Sequence, residues 1–159
     1  VAICALVLAV GCSTQEQQAA NIGTVTHVVD GDTVDVELGA VTERIRLIGL
    51  NTPESVDPRR PVECFGKEAS AHTKSLIPEG TKVRVERDAE ARDKYGRLLG
   101  YIYRVSDDMF VNEQIVKDGY AETLTIPPNV TYAERFADLA RQARSAGLGL
   151  WSACANESG

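Results

Sequence analysis

Histidine is scarce in this chain, with His27 and His72 the only two, and the four cysteines include no CxxC pair. That scarcity removes several chemistries at once. A zinc site needs closely spaced Cys and His ligands, and the Ser–His–Asp and Cys–His designs need a histidine beside a nucleophile; neither pattern is present. Both histidines read as surface residues. Long apolar runs are also missing: the stretch "VAICALVLAV" at the start is too short to span a bilayer, and no internal repeat or low-complexity domain follows it.

What stands at the N-terminus is informative. The apolar run Val1 to Val10 gives way to "GCSTQEQQAAN", polar and without periodicity, so it reads as the h-region of a signal peptide whose Met and basic residues lie outside this chain. The "AVGC" ending at Cys12 resembles a bacterial lipoprotein box, which favours a lipid anchor on Cys12 over plain secretion. The expectation is an exported protein that touches a membrane only through that anchor. Residues 1–12 are then a signal remnant, 13–20 a flexible linker, 21–154 a folded domain and 155–159 a tail. A chain of 159 residues can bury one sizeable core and hardly two. Export implies an oxidising compartment. Because Cys4 lies in the signal and Cys12 at its end, Cys64 and Cys154 are left to pair as one disulfide.

The first half of the folded part is strand-like. "TVTHVV", "TVDVEL", "RIRLIGL", "TKVRVER" and "RLLGYIYRV" are short β-rich runs, and in the second Val34, Val36 and Leu38 alternate with Thr33, Asp35 and Glu37. Asp30-Gly31, Gly39-Ala40 and Gly96 mark turns. Five such strands predict a small barrel. Three helices are expected around it: "GKEASAHTKSLI", "VNEQIVKDG" stopped by Gly119, and "TYAERFADLARQARSAG". In the last, Thr131 and Glu134 form a capping box, Tyr132, Phe136, Leu139 and Ala143 share a face, and Gly147 ends the helix. The fold class is α+β.

Three segments carry candidate chemistry: "DGDT" at Asp30 to Thr33, "RLIGLNTPE" at Arg46 to Glu54, and "DKYGR" at Asp93 to Arg97. Singly, each has a plain reading. "DGDT" is a hairpin turn and no EF-hand; Arg46 could pair with Glu37 or Glu43; Glu54 could cap a turn; "DKYGR" is a polar bend around Gly96. Together they supply two carboxylates, Asp32 and Glu54, and two guanidinium groups, Arg46 and Arg97. Phosphodiester hydrolysis needs that set: oxygen ligands for a hard cation, a base for water, and cations for the growing phosphate charge.

In order and spacing these blocks, with "FGKEAS", "VNEQIVKDGYA" and "GLW", resemble the staphylococcal nuclease (thermonuclease) family from about Asn21 to Trp151. The resemblance implies a five-stranded OB-fold barrel with three helices, a calcium cofactor, and hydrolysis of DNA and RNA to products bearing 3′-phosphates, by a monomer. It implies that Asp32, Asn51 and Thr52 (through its carbonyl) hold the calcium, with Glu54 acting through water as general base. Arg46 and Arg97 would take the phosphate, while Asp93, Lys94 and Tyr95 would contact the nucleotide. The other function class is a non-catalytic OB-fold module binding nucleic acid or protein, which would have no need for Asp32, Arg46, Glu54 and Arg97 together.

Two departures from the family pattern matter. Asn51 stands where an aspartate is usual, and Leu124 and Ile126 fall near tyrosines that line the nucleotide pocket. Weaker calcium binding and weaker base stacking are expected. The net charge of −6 hides an asymmetry: residues 59 to 104 hold 11 Lys and Arg against 7 Asp and Glu, a net of +4, leaving −10 for the rest. A local positive approach on an acidic body suits turnover of nucleic acid.

Overall fold

A computed structural model describes residues 21–59 and 61–155. The signal remnant, the linker, Cys4 and the anchor residue Cys12 lie outside the described residues. Five strands make the barrel: β1 (Ile22–Asp30), β2 (Thr33–Leu38), β3 (Val41–Leu47), β5 (Lys82–Glu86) and β6 (Leu98–Arg104). The order is β3-β2-β1-β5-β6, and a parallel pairing of β3 with β6, Ile45 opposite Leu98, closes the sheet on itself. Closure removes the sheet edges.

Alternation explains what the barrel buries. Val34 and Val36 of β2 point inward and are wholly buried, Asp35 and Glu37 point out, and Ile45, Leu47, Val83, Val85 and Ile102 complete the interior. Each such side chain removed from water contributes about 1.5–3 kcal/mol before entropy is counted. Two further elements were not apparent in the sequence: β4 (Gly49–Asn51) pairs antiparallel with β8 (Glu122–Leu124), and β7 (Met109–Phe110) extends the sheet beyond β6.

The expected helices form as α1 (Gly66–Leu76), α2 (Val111–Lys117) and α3 (Ala133–Ser145), with a short α4 (Leu150–Ala153) after them. Helix α1 lays Ala69, Ser70 and Thr73 on the barrel. From α2, buried Asn112 accepts from the Ile102 amide at 2.9 Å and donates to the Ile48 carbonyl at 3.0 Å, so one side chain ties β6 to the β3–β4 corner. Helix α3 buries Phe136 and Ala143, and Gly147 ends it as expected. Its φ of 61° is left-handed, and the Gly147 and Leu148 amides return to Arg144 and Ala143 carbonyls.

Two expectations need correction. The capping box does not form: the N-cap is Tyr132, and Thr131 instead gives its amide and hydroxyl to Asp88, whose carboxylate also accepts from Tyr101. A capping box satisfies the helix start from within, and here Asp88, just after β5, takes that hydroxyl. Nor is His72 a free surface residue. Its ring stacks on Tyr120 with centroids 3.8 Å apart and meets Asp118 at 3.0 Å, whereas His27 is exposed beside Glu79. Cys64 and Cys154 are joined as a disulfide across a sequence separation of 90.

Candidate active site

The β1–β2 turn, the β3–β4 corner, the loop from Thr52 to Phe65 and the bend at 93–97 meet at one mouth of the barrel. Asp32 projects from the two-residue turn between Asp30 and Thr33, a pair in register across the hairpin. Gly31 is required there, because a Cβ would lie 2.7 Å from the Thr52 hydroxyl. Behind the turn, Thr73 of α1 donates to the Gly31 carbonyl at 2.6 Å and fixes it.

Asp32 and Arg46 form the buried centre, with side chains only 9% and 13% exposed and 3.0 Å apart. Asp32 also accepts from the Thr33 hydroxyl and, at 3.0 Å, from the Thr52 amide. Arg46 gives its terminal nitrogens to the carbonyls of Leu47 and Leu50, to the Asn51 amide oxygen and to Asp32, leaving Nε as the remaining donor. Burial pulls the guanidinium below its ordinary pKa, Asp32 opposes that, and it stays charged. The expected partners Glu37 and Glu43 do not engage it. Asp35 pairs with Arg44, and Glu43 with Arg92.

Glu54 opens the loop after β4 and turns its Oε1 onto the amides of Val56 and Asp57, at 2.8 and 3.0 Å. It therefore does cap a turn, and that cap has a chemical consequence. Burial works against the carboxylate, but these amides and a hydrogen bond with Asp30 outweigh it and hold the group below its usual range. Burial, aided by the charges of Asp32 and Glu54, pushes Asp30 up, against bonds from the Ser55 hydroxyl and Gly31 amide. The two carboxyls are thus driven apart, Glu54 downward and Asp30 upward. Asp30 and Ser55 escaped the sequence reading; Asp30 lies in the quoted "DGDT" motif, but as the first residue of a turn it had an ordinary explanation.

The bend "DKYGR" is a turn with Gly96 at φ 83°. Asp93 accepts from the Tyr95 and Arg97 amides with one oxygen and from Arg97 Nε at 2.6 Å with the other, so it shapes the bend and aims the arginine. Among the described residues the Arg97 terminal nitrogens make no side-chain hydrogen bond, and the side chain is 31% exposed. Lys94 and Arg97 lie 5.0 and 5.4 Å from the Tyr95 ring, itself 72% exposed. Between this bend and the β3–β4 corner lies a cavity of about 410 Å³ lined by Arg46, Leu50, Asp93, Tyr95, Arg97, Leu124 and Ile126, among others. Leu124 and Ile126 thus sit on its wall, and both are exposed.

Among the described residues, no three acidic, His or Cys side chains are gathered so as to hold a metal ion by themselves. The donors at this mouth are mixed oxygens: the Asp32 carboxylate, the Asn51 amide, Thr52 and Glu54. The Thr52 hydroxyl is buried with no hydrogen-bond partner. An orphaned buried oxygen beside a carboxylate fits a hard, oxygen-seeking cation that completes its shell with water.

A closed five-stranded barrel carrying two arginines and two carboxyl groups at one mouth has the make-up of an enzyme acting on phosphate esters. Residues 44–153 match the family described as "Staphylococcal nuclease homologue". The chain is 40% identical over 128 residues to the thermonuclease of Staphylococcus hyicus, covering 80% of this chain and 74% of that protein. The thermonuclease of Staphylococcus intermedius is 40% identical over 127 residues, with the same coverage. SPbeta prophage-derived endonuclease YokF of Bacillus subtilis is 36% identical over 131 residues, 81% of this chain and 43% of that protein. The chain belongs to the staphylococcal nuclease family. It is a nuclease, a hydrolase of nucleic acid.

Proposed function

We propose that the protein is a calcium-dependent phosphodiesterase that hydrolyses DNA and RNA, leaving 3′-phosphates. The observation that carries this reading is the meeting of Glu54, the Asp32–Arg46 pair and Arg97 at one mouth of the barrel. Asp32, Asn51 and Thr52 are the residues to hold calcium, with Glu54 acting through water. The cation would supply positive charge beside the scissile phosphate.

In this reading Glu54 takes a proton from water as its oxygen bonds to phosphorus, the bond from phosphorus to the 5′-oxygen breaks, and that oxygen is protonated from solvent. The Arg97 fork binds two phosphate oxygens where charge grows, and Arg46 contributes its buried charge and Nε. Lys94 and Tyr95 form the rim that receives a neighbouring nucleotide, and Asp93 orients Arg97. The aliphatic wall at Leu124 and Ile126 offers little stacking, so base preference is weak. We also place the protein outside the cytoplasm as a monomer, held to a membrane through Cys12.

Digestion of single-stranded DNA, double-stranded DNA and RNA with calcium and with a chelator tests this reading. Cleavage in calcium alone, with 3′-phosphate ends, is the expected result; undiminished cleavage in chelator contradicts it.

A further inference from the structure

The loop that carries Glu54 is poorly held by packing. Its described residues from Thr52 to Phe65 form no helix or strand, Val56 and Val62 are 53% and 51% exposed, and its packing lies at its ends, where Thr52 is buried and the Phe65 ring sits 5.0 Å from that of Tyr120. Burial of apolar surface therefore gives it little of the rigidity that a positioned base needs. The Glu54 main chain is nonetheless fixed at both polar groups. Its amide donates to Glu63 Oε2 and its carbonyl accepts from the Glu63 amide, both at 2.9 Å. Gly66 lies so close that a Cβ there would meet the Glu54 carbonyl at 2.5 Å.

Glu63 and Gly66, which hold the Glu54 main chain, thus lie within two residues of Cys64. Cys64 is bonded to Cys154, which follows α4, and α4 is fastened through the Leu150 amide to the Gly119 carbonyl after α2. A continuous path runs from Glu54 through Glu63 and the disulfide to the body of the domain. Resting on the catalytic reading of Glu54 given above, we propose that the Cys64–Cys154 bridge is a positioning device for the base. It holds the Glu63 strut in place, so that breaking it lowers turnover while the barrel stays folded. Cys64, Cys154 and Glu63 are positioning residues, acting through Glu54.

The test compares the natural protein with Cys64→Ser/Cys154→Ser, with Glu63→Ala, which keeps the bridge, and with all three substitutions combined. Steady-state cleavage of single-stranded DNA in saturating calcium gives kcat and KM, and amide hydrogen exchange gives the local rigidity. For each of the first two variants, kcat falls by about ten- to a hundredfold, the upper end being the scale of an ångström-level displacement of a catalytic group, while KM stays within about twofold. The combined variant falls hardly further, because both changes release the same strut. Exchange quickens at Val56, Asp57 and Glu63 and not at Ile102. Unchanged kcat in the two variants, or additive losses, or exchange that quickens equally in the barrel, overturns the proposal. If the cysteine variant fails to fold, reduction of the bridge in the folded natural protein replaces it, read by the same split between kcat and KM and by exchange at Val56 and Asp57. If the natural protein cleaves no nucleic acid, the proposed function fails by itself, and exchange at Val56 and Asp57 still reports whether the bridge anchors the loop.

Discussion

Thr73, wholly buried on α1, donates its hydroxyl to the carbonyl of Gly31 at 2.6 Å, so the helix holds the turn from which Asp32 projects. Thr73→Val keeps the shape and strands that carbonyl without its partner. The expected cost is about 1–3 kcal/mol of stability, read as a lower urea midpoint with unchanged slope. A midpoint equal to that of the natural protein contradicts this role.

Asn51 accepts with its amide oxygen from Arg46 at 3.0 Å, from the same guanidinium nitrogen that meets Asp32. An amide brings a ligand atom but no charge. Asn51→Asp adds a second anion beside Asp32, so the calcium concentration for half-maximal cleavage is expected to fall, with dependence on Glu54 unchanged. Calcium titrations of the two proteins at fixed ionic strength check it. Coincident curves, or a shift toward higher calcium, would show that position 51 does not contact the metal.

Acid should loosen the packing of α3 on the barrel through Asp88. Burial raises this carboxyl, but bonds from the Thr131 amide, Tyr101 hydroxyl, Thr131 hydroxyl and Ala89 amide win and hold it below its ordinary 3.8. A depressed carboxylate stabilises the fold above its unfolded pKa, and the contribution is lost as pH falls through the folded value. Asp88→Asn should therefore be less stable than the natural protein at pH 7, with the difference shrinking below about pH 4. A difference that does not change with pH would assign the loss to packing.

The same residue shows where the sequence stopped being legible. Strand alternation in "TVDVEL" and the glycine ending α3 are local signals, and the barrel strands and helix end follow them. Asp88 reaching Thr131 spans 43 positions, and β4 is only three residues long, so neither leaves a periodic trace. The site divides in the same way. Asp32, Arg46, Glu54 and Arg97 were visible as residue types in family-like blocks. Asp30 was not, because its raised pKa arises from burial and from the charges of Asp32 and Glu54 converging in space, against a hydrogen bond from Ser55. The double role of Asp93 was hidden too, since a turn and an aimed arginine call for the same residue.

Arg97 should answer differently from Arg46. Among the described residues its ion pair is with Asp93, through Nε, whereas Arg46 is woven into Asp32, Asn51 and two carbonyls. Arg97→Ala is expected to lower kcat by about a hundredfold with little loss of stability, the scale for removing a donor to developing charge. Arg46→Ala is expected to lose similar activity and, by leaving Asp32 without its partner, about 3–5 kcal/mol of stability. Thermal melts beside cleavage assays separate the two; equal melting temperatures would contradict the structural half of the Arg46 assignment.

The most direct measurement is the turnover of Glu54→Gln on single-stranded DNA in saturating calcium, beside its thermal melt. Glutamine keeps an oxygen for the Val56 and Asp57 amides and so preserves the turn, but it cannot take a proton from water. A fall of at least about a hundredfold in kcat, in a protein that melts normally, is the result predicted for loss of a general base. Turnover within a few-fold of the natural protein would contradict the assignment of Glu54 and, with it, the mechanism proposed for this site.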